Sequence, residues 1–183
     1  MTTAISVELV PRNKESILKD AALVARYGEV THLNVTDIER FALRSTEAVA
    51  LLREYFGNRF IYVPHIRAIA AVNDEELHPD DIALVIHGDE PTQRKAGGEV
   101  SPVERMLLLA KRMRVMAGVD PYRTSLEREL EYVRLKRSVG ASGFFTQPFF
   151  SLDHLRHWNA LLPQECEIFY GLSPVTTEAT FAY

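Results

Sequence analysis

Short apolar runs without internal period take turns along this chain with longer stretches whose apolar residues recur at helical spacing. The runs are 5–10, 31–35, 60–63, 82–86, 115–119, 143–150 and 167–171, and each reads as a strand covered on both faces. Between them, 14–27 carries Ile17, Leu18, Ala21, Ala22, Val24 and Ala25 on one helical stripe, with Gly28 placed to end it. Ser45-Thr46 is a helix cap for the segment through Val49, Leu52 and Tyr55, and residues 73–76 have capping-box spacing for a short helix. Ser101-Pro102-Val103-Glu104 opens another helix with cap, first-turn proline and capping-box glutamate together. A charged helix over 126–139 is capped from 124–127 and ended by Gly140. A last one spans 152–162 behind Ser151 and Asp153.

Strand and helix in alternation with short links imply a parallel sheet. The strands break into polar, proline or glycine residues at their carboxyl ends, whereas the helix-to-strand links are plain. That asymmetry suits a (β/α)8 barrel of TIM type, whose site is built from the βα loops. The rival is an open doubly wound sheet, which usually shows a glycine-rich phosphate turn after its first strand. Here that turn is Pro11-Arg12-Asn13. Only about seven βα units are visible, so residues 1–183 are expected to form a single barrel domain lacking its C-terminal strand and helices. Either the chain is a portion of a longer protein or something else completes it.

Composition narrows the class. With 46% hydrophobic and 25% charged residues the chain has material for a core, and a net charge of -4 disfavours a nucleic-acid footprint. No apolar run approaches the ~20 residues of a membrane span. The single cysteine, Cys166, cannot form an internal disulfide and reads as a small buried hydrophobe. No N-terminal signal is visible, and the expected location is the cytoplasm.

The residues at strand carboxyl ends include Glu8, Asn34, Thr36, Asp37, His65, Arg67, His87, Asp89, Asp120 and Gln147. Glu8, between Val7 and Leu9, is costly to bury ionised, and burial would raise its pKa toward that of a general acid. Pairing with Arg12 or Arg67 is its structural alternative. Asp89 directly follows Gly88, which leaves room for a planar ligand, although an ordinary turn aspartate looks the same. His65 could bond a ligand or a carbonyl. Gln147 and Thr146 form a polar pair inside an aromatic strand, facing either a ligand or the next loop. No His-x-x-x-His or Cys-x-x-Cys spacing supports a metal, and no Gly-x-Ser-x-Gly elbow supports a serine hydrolase. His32, His78, His154 and His157 read as solvated. Arg134, Lys136 and Arg137 complement a helix dipole or meet a cofactor's phosphates.

Taken in order, Ser6-Val7-Glu8-Leu9-Val10-Pro11, Pro64-His65-Ile66, His87-Gly88-Asp89-Glu90-Pro91, Leu135-Lys136 through Gly140-Ala141, Phe145-Thr146-Gln147-Pro148-Phe149-Phe150 and Gly171-Leu172-Ser173-Pro174-Val175 resemble the methylenetetrahydrofolate reductase family. The resemblance spans nearly the whole chain. It implies a (β/α)8 flavoprotein oxidoreductase of one-carbon metabolism and methionine biosynthesis. Such an enzyme reduces 5,10-methylenetetrahydrofolate to 5-methyltetrahydrofolate with NAD(P)H through FAD. By the same resemblance Glu8 is the general acid, and Asp89 stands beside flavin and pterin. Gln147, with Thr146, binds folate. His65, His87, Gly88, Glu129 and Lys136 fall on the cofactor side.

Three flavin-side segments depart from the family pattern. His87 replaces an arginine, Asn34-Val35-Thr36-Asp37 replaces a Thr-Tyr-Gly turn, and residues 118–123 replace a longer flavin-holding segment. The chain thus resembles a divergent branch, in which direct hydride transfer without bound flavin is the alternative. A non-catalytic folate- or flavin-binding subunit and a barrel enzyme acting on another C1 carrier are the competing functions. A homo-oligomer is compatible with the sequence, and NADH and NADPH are not distinguished.

Overall fold

The computed structural model describes residues 4–68, 77–87, 101–122 and 125–173. Seven strands form one all-parallel sheet in sequence order: β1 (Ile5–Leu9), β2 (Val30–Val35), β3 (Ile61–Arg67), β4 (Ile82–Ile86), β5 (Arg114–Val119), β6 (Gly143–Phe149) and β7 (Glu167–Leu172). Among the described residues five helices lie between them: α1 (Lys14–Val24), α2 (Ser45–Phe56), α3 (Pro102–Leu109), α4 (Leu126–Ser138) and α5 (Leu152–Leu161). The expected short helix at 73–76 lies outside the described residues.

The sheet is curled. In a flat sheet β2 and β7 would stand roughly 24 Å apart, at about 4.8 Å per strand. Instead the rings of His32 on β2 and Phe169 on β7 meet edge to face at 4.9 Å between centroids. The fold is therefore a nearly closed TIM-like α/β barrel, with seven strands among the described residues. Among the described residues β1 and β7 make no ladder with each other.

Register separates an inner from an outer face. Val63, Ile82, Leu84 and Met116 form an inner cluster joined by Ile86, Phe145 and Phe169. The outward residues make two larger clusters under the helices, one centred on Leu33, Leu52 and Tyr62, the other on Val85, Leu109, Phe144 and Trp158. His32 is buried on the inner face, which corrects its reading as a solvated histidine. Strand alternation, rather than its polar character, decides where it points. Burial lowers its pKa, with the Glu167 carboxylate raising it in part and Arg114 lowering it further. His154 is half-buried too: it accepts the Trp158 indole N–H at 2.9 Å and meets Tyr122 and Phe149 edge to face.

β3 runs through Pro64, where a proline would usually end a strand. Its ladder to β2 stops at Pro64 and its ladder to β4 starts at His65, so the missing N–H falls at the handover. α1 ends at Val24, short of Gly28. α2 begins at Ser45, with Glu47 Oε2 accepting from the Arg44 N–H at 2.9 Å; Ser45 Oγ instead donates to the His65 carbonyl at 2.6 Å. The Ser101 box forms as expected: Glu104 Oε2 accepts from Ser101 N–H at 2.8 Å and Ser101 Oγ from Glu104 N–H at 3.2 Å. Gly140 follows α4 at φ +112°, where a Cβ would sit 2.6 Å from Ala110 Cβ. Cys166 is half-buried against the outer core.

Candidate functional site

All seven strands point the same way, so their carboxyl ends ring one mouth. Glu8 and Asn34 are register partners on β1 and β2, and Asn34 is register partner of Val63 on β3. In a parallel ladder partners share a face, and alternation puts His65, two residues after Val63, there as well. Carboxylate, amide and imidazole thus occupy the inner face at three adjacent strand ends. His65 Nε2 lies 2.7 Å from Asn34 Oδ1. Opposite them, Phe145 precedes Gln147 on β6, and Gln147 is exposed at the carboxyl end. The floor between is the inner apolar cluster, with the Phe145 and Phe169 rings stacked at 4.4 Å and 8°. A polar rim over an apolar floor is the usual make-up of a small-molecule site.

Electrostatics separates the rim groups. Glu8 is exposed at the mouth, yet the protein around its carboxyl partly desolvates it and raises its pKa above the ordinary value. His65 is pushed down to about 4 by burial, so its ring is neutral at pH 7. Neither Arg12 nor Arg67 pairs with Glu8 among the described residues. Arg67 instead bonds Asp37 at 3.3 Å and faces Glu39 at 3.6 Å, and Arg44 also pairs with Asp37. This cluster braces the β2–α2 connection beside the mouth.

Other sequence-predicted residues sit differently. Thr146 is buried with the parity of Phe144, and its Oγ accepts the Gly171 N–H at 2.9 Å. It carries the irregular β6–β7 register between Phe145 and Pro148. Glu129 and Lys136 of α4 are buried and 3.7 Å apart. Glu129 accepts from the Asp120 N–H at 3.1 Å, and Lys136 donates to the Gly118 carbonyl at 2.5 Å and lies over the Tyr132 ring. Together they tie α4 to the end of β5. His87 is exposed just after β4, while Gly88 and Asp89 lie outside the described residues. Sequence reasoning missed the Asn34–His65 pair, because nothing local connects residues 31 positions apart.

At Gly118, on the inner face with Met116, a Cβ would meet nothing nearer than Ile86 Cγ2 at 3.9 Å. The absent side chain leaves a flat stretch of strand at the mouth. A groove of about 340 Å³ lined by Val49, Arg53, Glu54, His78 and Asp81 lies outside the barrel, and none of the strand-end residues reaches it. Among the described residues no group of three or more His, Cys, Asp or Glu could hold a metal ion. Among them, no helix is long and apolar enough to cross a membrane.

No family model matches the chain, and no curated protein matches it. A solved structure does: an uncharacterized protein from Clostridium thermocellum that binds two copies of 5-methyl-5,6,7,8-tetrahydrofolic acid, with a TM-score of 0.65 at 11% identity. The match covers 92% of this chain but 65% of that one, so the chain spans under two thirds of its neighbour's length. At that identity the likeness establishes the barrel, and the chain is accordingly an α/β barrel with its candidate site at the carboxyl-end mouth.

Proposed function

We propose that this barrel binds a reduced folate at its mouth and acts as an oxidoreductase of one-carbon metabolism, reducing 5,10-methylenetetrahydrofolate to 5-methyltetrahydrofolate with NAD(P)H. The observation that carries the reading is Glu8, a carboxyl with a raised pKa on the inner face beside Asn34. It is supported by the resemblance to methylenetetrahydrofolate reductases and by the folate bound to the Clostridium thermocellum neighbour.

The chemistry needs a proton and a hydride. Glu8, kept protonated into a higher pH range by desolvation, gives its proton to N10 as the C–N10 bond of the five-membered ring breaks. The lone pair on N5 then forms a cationic C=N5 bond, and hydride at that carbon completes the methyl group. Glu8 regains its proton from solvent, to which it is exposed. Gln147 orients the pterin through its amide, and the apolar floor of Phe145 and Phe169 keeps water from the carbon. Asp89, by resemblance, favours the cationic electrophile.

The flat inner stretch at Gly118, with His65 across the mouth, suits a planar ring, so FAD fits there. Bound there, FAD would supply a two-electron relay between NAD(P)H and the one-carbon unit. By the resemblance His65, His87 and Gly88 would hold it; Glu129 and Lys136 would contribute through the β5 end they fix. The buried engagement of these last two favours a second reading, a folate-binding protein without flavin.

The test is aerobic purification of the protein, a flavin absorbance spectrum, and NAD(P)H oxidation with 5,10-methylenetetrahydrofolate. Turnover that disappears in Glu8→Gln while folate binding persists supports catalysis. Folate binding without turnover in the parent protein selects the binding-protein reading, and absence of both sinks the folate assignment.

A further inference from the structure

We infer that Asn34 is a positioning residue that fixes the His65 imidazole in its Nε2–H form, which leaves Nδ1 as a hydrogen-bond acceptor for a ligand at the mouth. The ligand clause rests on the folate reading above. The tautomer clause rests on the Asn34–His65 contact and on the burial that keeps the ring neutral.

A neutral imidazole carries one N–H, and the group bonded to one nitrogen decides which nitrogen carries it. Asn34 Oδ1 faces His65 Nε2 at 2.7 Å, and with the amide oxygen as acceptor Nε2 is the donor. The His65 backbone carbonyl accepts from Ser45 Oγ at 2.6 Å, a bond that does not involve the ring. Nδ1 is left with its lone pair and no partner among the described residues. Burial holds the ring's pKa down to about 4, so protonation does not fill that lone pair at neutral pH.

The chemistry recognised is therefore an N–H donor on a planar heterocycle. A pterin offers its 2-amino group and N3–H, and an isoalloxazine offers N3–H. A ring nitrogen or carbonyl facing Nδ1 would be repelled lone pair to lone pair. Asn34 thus selects the edge that a ligand presents to β3 without touching the ligand.

Long-range proton–nitrogen correlation on the 15N-labelled protein reads the tautomer without ligand. The expected spectrum has His65 in the Nε2–H form, a loss of that preference in Asn34→Val, and its return in Asn34→Asp, which keeps an acceptor. An Nδ1–H form in the parent protein, or the same tautomer in all three, overturns the proposal. Should Asn34→Val not fold, Asn34→Ala, which likewise removes the acceptor, serves in its place. Titration with 5-methyltetrahydrofolate and, separately, FAD then reports the ligand. The probe that binds should shift the Nδ1 resonance and lose about tenfold in affinity in Asn34→Val, the size of one lost hydrogen bond. Restoration in Asn34→Asp is expected, and equal affinity in all three proteins overturns the ligand clause. If neither probe binds the parent protein, the folate reading fails while the spectrum still decides the tautomer.

Discussion

Phe145 on β6 and Phe169 on β7 stack at 4.4 Å, and Phe169 also receives the edge of His32 from the far side of the barrel. One ring on the outermost strand therefore joins three strands. Phe169→Ala should destabilise the protein by about 3 kcal/mol, and Phe169→Leu by about 1, from lost burial and ring contacts. Urea unfolding measures both. Equal stability of the alanine variant would show that β7 does not secure the barrel.

Glu8 controls the proposed chemistry through its protonated form. Because burial raises its pKa, turnover should hold at acid pH and fall as pH climbs through that raised value. Glu8→Gln should lower kcat by about 10²–10⁴-fold and remove this limb of the profile. A profile unchanged in the variant would assign the proton to another group.

His65 makes stability pH-dependent in the opposite sense. Burial pushes its folded pKa down to about 4 from the ordinary 6.5, so the unfolded chain takes up the proton first. The stabilisation is complete above 6.5 and is lost as pH falls through the folded value. The full span is about 3 kcal/mol. His65→Gln should flatten the urea midpoint between pH 7 and pH 4, and a slope left intact would move the effect elsewhere.

Asp81 is buried before β4 and pairs with Arg53 of α2, whose guanidinium lies over the Tyr62 ring at 4.7 Å. Asp81→Ala leaves a largely buried cation beside that ring and should cost about 3–5 kcal/mol. Adding Arg53→Met should recover much of the loss. Thermal melts of the single and double variants check this, and strict additivity would mean that the pair is not coupled.

Much of the barrel could be read from the chain because parallel strands buried on both faces leave unbroken apolar runs, as 82–86 does. Helix starts were legible where chemistry is local, as at Ser101 and Glu104. Legibility failed where a distant partner decides. Ser45 looks like a cap, yet its hydroxyl serves the His65 carbonyl twenty positions on. His32 looks solvated until β7 is folded against it. Glu129 and Lys136 look like charges on a polar helix, but the Asp120 amide and the Gly118 carbonyl at the end of β5 engage them. Of the candidate site, the strand-end positions of Glu8, His65 and Gln147 were visible in sequence. The bond between Asn34 and His65 was not.

His65 is held at two points, its ring by Asn34 and its main chain by Ser45 at the start of α2. Such a group behaves as a lock rather than a glove. The entropy of immobilising it is spent during folding, so little remains to be lost when a guest arrives. The corollary is selectivity: a molecule whose hydrogen-bonding pattern is wrong at that point cannot coax the imidazole into turning, and it must forgo the contact altogether.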